Sequence, residues 1–273
     1  MSGLRLTLRS RLEERVEFGP AFAAAWTTAS PAEIARREVR SVRSGMVSLG
    51  DLFTIDGTPD GTATIVGELA LAERVGAGLS EGFVRVEGNV GDRAGAELSG
   101  GRLELAGNAG HSTGEGMSGG LLVVRGNTGD RAGAAAPGRK RGMTGGELVI
   151  LGNAGEETGA LMRRGLVAVG GTTGRCTLLS TIAGTVVACG ATGADAALWN
   201  KRGSLICLGP VEPSATYRYA CTIQPIYLRL LFRRLRDVLG LPVTAAHIDG
   251  RFRRYSGDFS ETGKGEILAW SPA

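Results

Sequence analysis

Basic side chains at matching positions of a repeated sequence are the residues best suited to chemistry in this chain. Arg163 and Arg164 occupy the same place in their repeat as Lys201 and Arg202 do two repeats later. In the repeat before Arg163, the basic segment 139–141 comes just before the corresponding place. If the repeats stack, these groups form a strip for an extended polyanion or an acidic subunit. The other interpretation is a solvated corner. The candidate binding residues are Arg139, Lys140, Arg141, Arg163, Arg164, Lys201 and Arg202.

Motifs for catalysis are not convincing. We expect that the segment with His111 and Ser112 does not fit the G-x-S-x-G nucleophile elbow, and it lies in a regular corner of the repeat. Gly263 and Lys264 lack the Ser or Thr and the earlier glycine of a phosphate-binding loop. We therefore predict no catalytic residue in this chain and expect His111 on a surface corner.

Metal ligands are also scarce. The chain holds four cysteines and two histidines, and no cysteine pair has C-x-x-C spacing. We predict no metal site. The isolated cysteines are expected to be small buried residues in a reducing cytoplasm.

Charge and hydropathy restrict the partners and the compartment. The net charge is +4 and the pI is near 9.1, which permits an acidic partner but does not require nucleic acid. No apolar stretch approaches the roughly 18 residues of a membrane span. The N-terminal residues alternate charge and apolarity without the apolar core of a secretory signal. We predict a cytoplasmic protein that binds neither membrane nor nucleic acid.

A repeat between residues 82 and 210 positions the basic residues. One glycine follows each apolar run and another precedes it, and both columns advance by 19 residues, with one step of 26. A fixed period near 20 predicts a solenoid. The first column is Gly88, Gly107, Gly126, Gly152, Gly171, Gly190 and Gly209. The second is Gly82, Gly101, Gly120, Gly146, Gly165, Gly184 and Gly203.

The content of each repeat predicts which solenoid forms. An apolar run of four or five residues, such as 121–124, has the length of a strand, and the glycines suit corners that need positive φ. A column of asparagines (Asn89, Asn108, Asn127 and Asn153) suits the left-handed conformation and a ladder of stacked amides. We predict an all-β fold: a parallel β-helix of 19-residue coils, right-handed by the rule for parallel crossovers.

The flanking segments predict a small N-terminal α/β cap (1–61), the β-helix repeats (62–210) and a C-terminal helix with a docking tail (211–273). In the cap we expect a strand at residues 4–8, a helix capped by Ser30 that runs to about Val39, and a strand at 46–55 bent at Gly50. Residues 134–141 are an inserted basic loop, either solvated or a contact for a protein or an anion.

The C-terminal segment predicts an amphipathic helix at 222–239 that covers the open edge of the last coil. Its expected apolar residues are Ile226, Leu230, Phe232, Leu235 and Leu239. The tail beyond it has no strong pattern. Its aromatic residues (Phe252, Tyr255, Phe259 and Trp270) and its arginines (Arg251, Arg253 and Arg254) suit docking on a neighbouring subunit.

Together these features resemble a known family. The G-N-x-G corners, the S-G-G or T-G-G before the apolar runs, the LGDLF segment at 49–53 and the basic helical C-terminus are similar to the C subunit of formylmethanofuran dehydrogenase. They are equally similar to the C subunit of its bacterial relative, the formyltransferase/hydrolase complex. The glutamate synthase large chain shares this repeat in its C-terminal domain. The resemblance covers nearly the whole chain and also implies a right-handed β-helix.

The resemblance implies a non-catalytic structural subunit of a hetero-oligomer, with no tightly bound cofactor of its own. In the bacterial complex a formyltransferase-like subunit takes formyl from tetrahydromethanopterin, and a hydrolase-like subunit releases formate from a methanofuran-type cofactor during formaldehyde oxidation by methylotrophs. A further subunit completes the complex. The glutamate-rich tail of the cofactor is an anion that the basic strip could hold.

Three alternatives remain open. The first is the C subunit of a molybdenum or tungsten formylmethanofuran dehydrogenase. The Ala-, Gly- and Arg-rich composition favours the bacterial complex over this alternative. The second is a free-standing domain of glutamate synthase type, although the chain lacks amidotransferase and flavin-binding sequences. The third is an independent β-helix enzyme acting on acidic polysaccharide, which the small Gly and Ala corners disfavour.

Overall fold

The structure is a computed structural model that describes residues 3–22 and 28–272. The predicted segments 1–61 and 211–273 therefore include positions 1, 2, 23–27 and 273, which lie outside the described residues. The division of the chain into three segments stays a prediction.

Strands dominate the described chain. In order they are β1 (Gly3–Leu8), β2 (Val16–Glu17), β3 (Glu38–Ser41), β4 (Gly45–Ser48), β5 (Phe53–Thr58), β6 (Thr62–Val66), β7 (Ala72–Glu73), β8 (Phe83–Glu87), β9 (Arg102–Leu105), β10 (Ser118–Val124), β11 (Gly145–Ile150), β12 (Leu166–Val169), β13 (Thr185–Ala188), β14 (Ser204–Cys207), β15 (Arg218–Ile223), β16 (Arg251–Gly257) and β17 (Gly265–Ser271). The helices are short: α1 (Pro31–Ala35), α2 (Leu49–Leu52), α3 (Ile226–Arg233) and α4 (Ala245–Ile248). A 3-10 turn covers Gly19–Phe22, and a π-helical turn (Arg234–Val238) continues α3.

One large sheet organises the described residues. Its thirteen strands run in the order β15-β16-β17-β14-β13-β12-β11-β10-β9-β8-β6-β1-β5. In the part of this order that runs from β17 to β1, every pair of neighbouring strands is parallel. The antiparallel pairs β15–β16, β16–β17 and β1–β5 occur only at the two ends of the sheet. Strands that neighbour in space are consecutive repeats in sequence, so that Phe83 pairs with Arg102 and Arg102 with Leu121. This is a β-helix-like all-β fold.

The parallel strands β10 to β14 are buried on both faces, which explains their continuous apolar sequence. One set of residues, such as Leu122, Leu148 and Val167, packs into the coil interior. The residues that alternate with these along each strand, such as Val149 and Val187, face the opposite side of the sheet. We call that side the outer face of the sheet. Because both sets are removed from water, the hydrophobic effect fixes each strand in register with its neighbours.

The two glycine columns have different physical reasons. Gly101 and Gly120 in the second column have φ of +63° and +71°, as predicted. In most of the first column φ is not positive. A Cβ on Gly107 would instead lie 2.6 Å from the carbonyl oxygen of Gly88 in the preceding coil. The prediction of positive φ was therefore wrong for that column, where glycine is needed for close backbone approach.

The asparagine column forms the predicted ladder but not in the left-handed conformation. The backbone N–H of Asn108 donates to Oδ1 of Asn89 at 2.9 Å, and that of Asn127 donates to Oδ1 of Asn108 at 2.8 Å. Asn153 and Thr172 continue the series at 2.8 Å each. None of these asparagines has positive φ. Each side chain instead satisfies a backbone donor of the next coil.

The N-terminal predictions were partly correct. β1 is half-buried, and Ser30 and Glu33 form a capping box at the start of α1. The helix ends at Ala35, not near Val39, because β3 begins at Glu38. The predicted strand at 46–55 was wrong: α2, with its own Ser48–Asp51 capping box, separates β4 from β5. Gly50 therefore lies inside a helical turn.

The C-terminal helix was assigned to the wrong surface. α3 begins at Ile226 and packs Leu228 and Phe232 against the outer face of the sheet. The edge of the last repeat is covered by β17, which pairs in parallel with β14. Ile226 and Leu230 were assigned to the apolar side of a helix that covers the last coil, but they are 76% and 74% exposed. The tail that lacked a recognisable pattern forms the antiparallel pair β16–β17.

Candidate binding site at the insertion loop

Consecutive coils position the predicted basic residues. The backbone N–H groups of Arg163 and Arg164 both donate to the carbonyl of Met143, directly after the inserted loop. Ile182 donates to Met162 and Lys201 to Thr181 in the same manner. The basic groups therefore follow one corner of the stack, as predicted. Ile182 and Ala183 fill the intervening coil, so the charge along that corner is interrupted.

The basic residues differ in their partners. Lys201 lies 3.9 Å from the carboxylate of Glu261, and its carbonyl accepts a hydrogen bond from Thr262. The C-terminal segment thus partly neutralises that end of the strip. Within residues 3–22 and 28–272 the other six form no side-chain ion pair. They are exposed and free to contact an anion.

The inserted loop covers a cavity of about 530 Å³. Two carboxylates, Glu97 and Glu115, belong to its coil wall, and three cations belong to its loop wall. Glu97 is paired with Arg74 at 3.8 Å, whereas Glu115 is only 4% exposed and its Oε2 has no hydrogen-bond partner. The lining residues are Glu97, Glu115, Gly116, Ala136, Arg139, Lys140, Arg141, Gly142 and Thr144. The loop cations were predicted from the sequence, whereas both carboxylates were missed.

The structure clarifies the groups that resemble catalytic residues. Residues 110–114 do have G-x-S-x-G spacing, but they form a turn between two coils. The Nδ1 of His111 accepts a hydrogen bond from the backbone of Asp130 at 3.0 Å, so it is not a base for Ser112. His111 is an exposed corner residue, as predicted. Burial raises the pKa of Cys207 to about 12, which suppresses the thiolate.

His111 belongs to a second side-chain ladder that was not predicted from the sequence. The Oδ1 of Asp92 accepts the backbone N–H of His111, and the Oδ1 of Asp130 accepts that of Glu156, both at 2.8 Å. The two aspartates lie at matching positions two repeats apart in the sequence. The sequence signal for this ladder is the polar residue that stands three positions after each asparagine of the first ladder. Among the described residues, no three His, Cys, Asp or Glu side chains are grouped as metal ligands.

An exposed apolar surface lies on α3. Ile226, Tyr227 and Leu230 project from the side of the helix opposite its buried Leu228 and Phe232, and all three are more than half exposed. The docking role predicted for the tail does not extend to Phe252, which is 1% exposed and packs on Phe232. The α3 surface therefore replaces Phe252 as the apolar candidate for contact with another protein.

Comparisons with known proteins agree with this geometry. No family model matches the sequence. The C subunit of the formyltransferase/hydrolase complex Fhc from Methylorubrum extorquens strain AM1 is 41% identical over 91 residues, which is 33% of this chain and 33% of that protein. In the X-ray crystal structure of the FhcABCD complex from Methylorubrum extorquens with methylofuran, one chain matches at a TM-score of 0.87 and 36% identity. The match covers 98% of this chain and 99% of that chain.

The chain belongs to the C-subunit family of formyltransferase/hydrolase complexes. The structural match that shows this membership extends through the N-terminal strands and the C-terminal β16–β17 pair as well as the repeats. None of the helices formed by the described residues has the length and apolarity needed to cross a lipid bilayer.

Proposed function

We propose that this chain is a non-catalytic structural subunit of a formyltransferase/hydrolase complex. That complex would transfer formyl from tetrahydromethanopterin to a methanofuran-type cofactor and release formate in cytoplasmic formaldehyde oxidation. Its partners would be a hydrolase-like, a formyltransferase-like and a further subunit. The observation that carries this proposal is the match over nearly the full length of both chains to a component of the FhcABCD complex.

Two surface features support a role in assembly. The apolar side of α3 is exposed in the free chain, and such patches are typical of protein interfaces. The basic strip is largely unpaired, which suits an acidic partner protein. Support for a non-catalytic role comes from His111, which is engaged in a backbone ladder, and from Cys207, whose thiol is buried.

We also propose the finer architecture: a right-handed parallel β-helix with coils of 19 residues. The support is the register of the strands and the side-chain ladder from Asn89 to Asn108 and Asn127, whose members lie 19 residues apart. The pair Asn127–Asn153, 26 residues apart, accommodates the inserted loop. Right-handed crossovers are the rule for parallel strands.

The proposal extends to the cofactor. The relative's complex was crystallised with methylofuran. We propose that the basic residues guide the glutamate-rich tail of such a cofactor along the corner of the stack. Exposed and unpaired Arg163, Arg164 and Arg202 favour this path. The chain itself would bind no cofactor tightly.

Affinity purification of the tagged chain from its native host, with mass spectrometry of the co-purifying proteins, tests the assignment. Recovery of amidohydrolase-like and formyltransferase-like subunits is expected. Recovery of molybdopterin and iron–sulfur subunits would instead assign the chain to a dehydrogenase. A lone chain at monomer mass would contradict the proposed structural role.

A further inference from the structure

The cavity under the inserted loop contains a carboxylate whose surroundings its own chain does not explain. Glu115 is 4% exposed, its Oε2 lacks a hydrogen-bond partner, and within the described residues no cation lies within ion-pair distance of it. Buried carboxylates in folded proteins are ordinarily paired or hydrogen-bonded, because unpaired burial is strongly unfavourable. A partner from outside the chain would remove this deficit.

The repeat itself does not call for a carboxylate at this position. The backbone N–H of Glu115 donates to the residue three positions earlier, and Ala96, Ala134 and Ala160 do the same in other coils. All three alanines are at most 2% exposed. The turn therefore accommodates a small buried side chain elsewhere. Leu179 takes the same place in a later coil and donates to Cys176. Glu115 is the charged residue among these, and it lines the same cavity as the inserted loop.

The charges of the cavity indicate the kind of occupant. The coil wall carries Glu97 and Glu115, and the loop wall carries Arg139, Lys140 and Arg141. Glu97 already has Arg74 as an ion-pair partner, so the group that lacks a partner is Glu115, and a carboxylate is satisfied by a cationic donor. A cationic side chain that enters between the walls would pair with Glu115. Acidic residues beside that side chain would then face the loop cations.

We propose that this cavity receives a lysine or arginine side chain of a partner protein in the complex, with Glu115 as its acceptor. The inference rests on the proposed assembly function and assigns a contact to it. A volume of about 530 Å³ holds a long cationic side chain with its flanking backbone. Charge-assisted pairing with a buried carboxylate would make the contact selective as well as stabilising.

The substitution Glu115→Gln tests the proposal because it removes the charge and keeps the volume. In the free chain we expect a Tm equal to or above that of the wild type, since a buried unpaired charge is lost. In binding to the co-purified partner subunits we expect an affinity at least about tenfold lower. Glu81→Gln, at an exposed position outside the cavity, is the matched control and should bind as the wild type does.

A photo-crosslinking amino acid in place of Ala136, on the loop side of the cavity, identifies the occupant within the assembled complex. A cross-link to a partner peptide that contains Lys or Arg is expected. Cross-links confined to this chain, a small amine released from the cavity, or wild-type affinity of the Glu115→Gln variant would overturn the inference while leaving the assembly proposal intact. If the wild-type chain recovers no partner protein, both proposals fail.

Discussion

At the scale of single residues, two buried carboxylates are held by dedicated donors. Asp258 is fully buried and accepts hydrogen bonds from the backbone N–H groups of Trp199 and Ser260, each at 2.8 Å. Burial alone would raise the pKa of Asp258, but the hydrogen bonds from Ser260 and Trp199 lower it below its ordinary value. These bonds tie the β16–β17 connection to the last repeat.

Glu104 on the outer face shows the same balance with cations as donors. It is 3% exposed and lies 2.7 Å from Arg125, 3.0 Å from Arg102 and 3.3 Å from Arg85. Burial would raise the pKa of Glu104, but the hydrogen bond and charge of Arg125, with Arg102, hold it below its usual range. One buried carboxylate thus aligns Arg85 of β8, Arg102 of β9 and Arg125, which directly follows β10.

The lowered pKa of Asp258 predicts a pH dependence. Because its pKa is lower in the folded chain, the group contributes stability above the ordinary Asp value near 3.9, and this stability is lost as pH falls through the folded pKa. We expect Asp258→Asn to lower the free energy of unfolding at pH 7 by about 2 kcal/mol. The loss of stability from pH 6 to pH 3 should be smaller in the variant than in the wild type.

Urea unfolding at both pH values measures this difference. Asp56→Asn, at an exposed position on β5, is the control and should follow the wild type. Parallel pH profiles for Asp258→Asn and the wild type would show that the hydrogen bonds to Asp258 do not favour its charged form.

At the scale of elements, α3 has two apolar sides with different uses. Phe232 is fully buried and meets Phe252 at a ring separation of 5.9 Å, which fastens the helix to the outer face. Leu230, two residues earlier, is exposed. The helix is therefore held by its inner side, and its outer side is available to another protein.

The substitution Phe232→Ala should lower the free energy of unfolding by about 3–5 kcal/mol, because it leaves a cavity between α3 and the sheet. Leu230→Ala on the same helix is the matched control and should change stability by no more than about 0.5 kcal/mol. Denaturant titration of the purified free chain measures both. Equal effects would mean that α3 is not docked through Phe232.

At the scale of the whole molecule, the distribution of charge is uneven. The exposed basic strip follows one corner, and the outer face is partly covered by α3 and the residues that follow it up to Ile248. Three surfaces are therefore available for assembly: the strip, the exposed side of α3 and the cavity at the loop, which shares Arg139, Lys140 and Arg141 with the strip. The +4 net charge alone does not reveal this division.

Reversal of charge at Arg163, Arg164, Lys201 and Arg202 to Glu should weaken the recovery of partner subunits or the binding of an oligo-glutamate probe. The difference in binding between this variant and the wild type should diminish at high salt, because exposed charges are screened. Reversal of Arg9, Arg11, Arg36 and Arg43, which are exposed on the N-terminal segment, gives the same net charge and serves as the control. If both variants behave as the wild type, the strip contributes only to solubility.

Local sequence was sufficient wherever a rule acts over a few residues. Ser30, Pro31 and Glu33 predicted the helix start because a capping box is complete within one turn. The end of that helix was not predictable, because β3 competes for the chain through its pairing with β4. Phe252 and Leu230 were assigned incorrectly for the same reason: burial depends on which surface meets them, and that surface lies far away in sequence.

The sequence by itself determined the stacked architecture, the asparagine column and the corner that carries Arg163 and Lys201. Each follows from a period that converts sequence spacing directly into spatial stacking. Only the tertiary structure decided that β17 rather than α3 covers the last repeat, and that Glu115 and the inserted loop line one cavity. Neither the loop nor the C-terminal segment repeats, so their positions depend on long-range packing and not on the period.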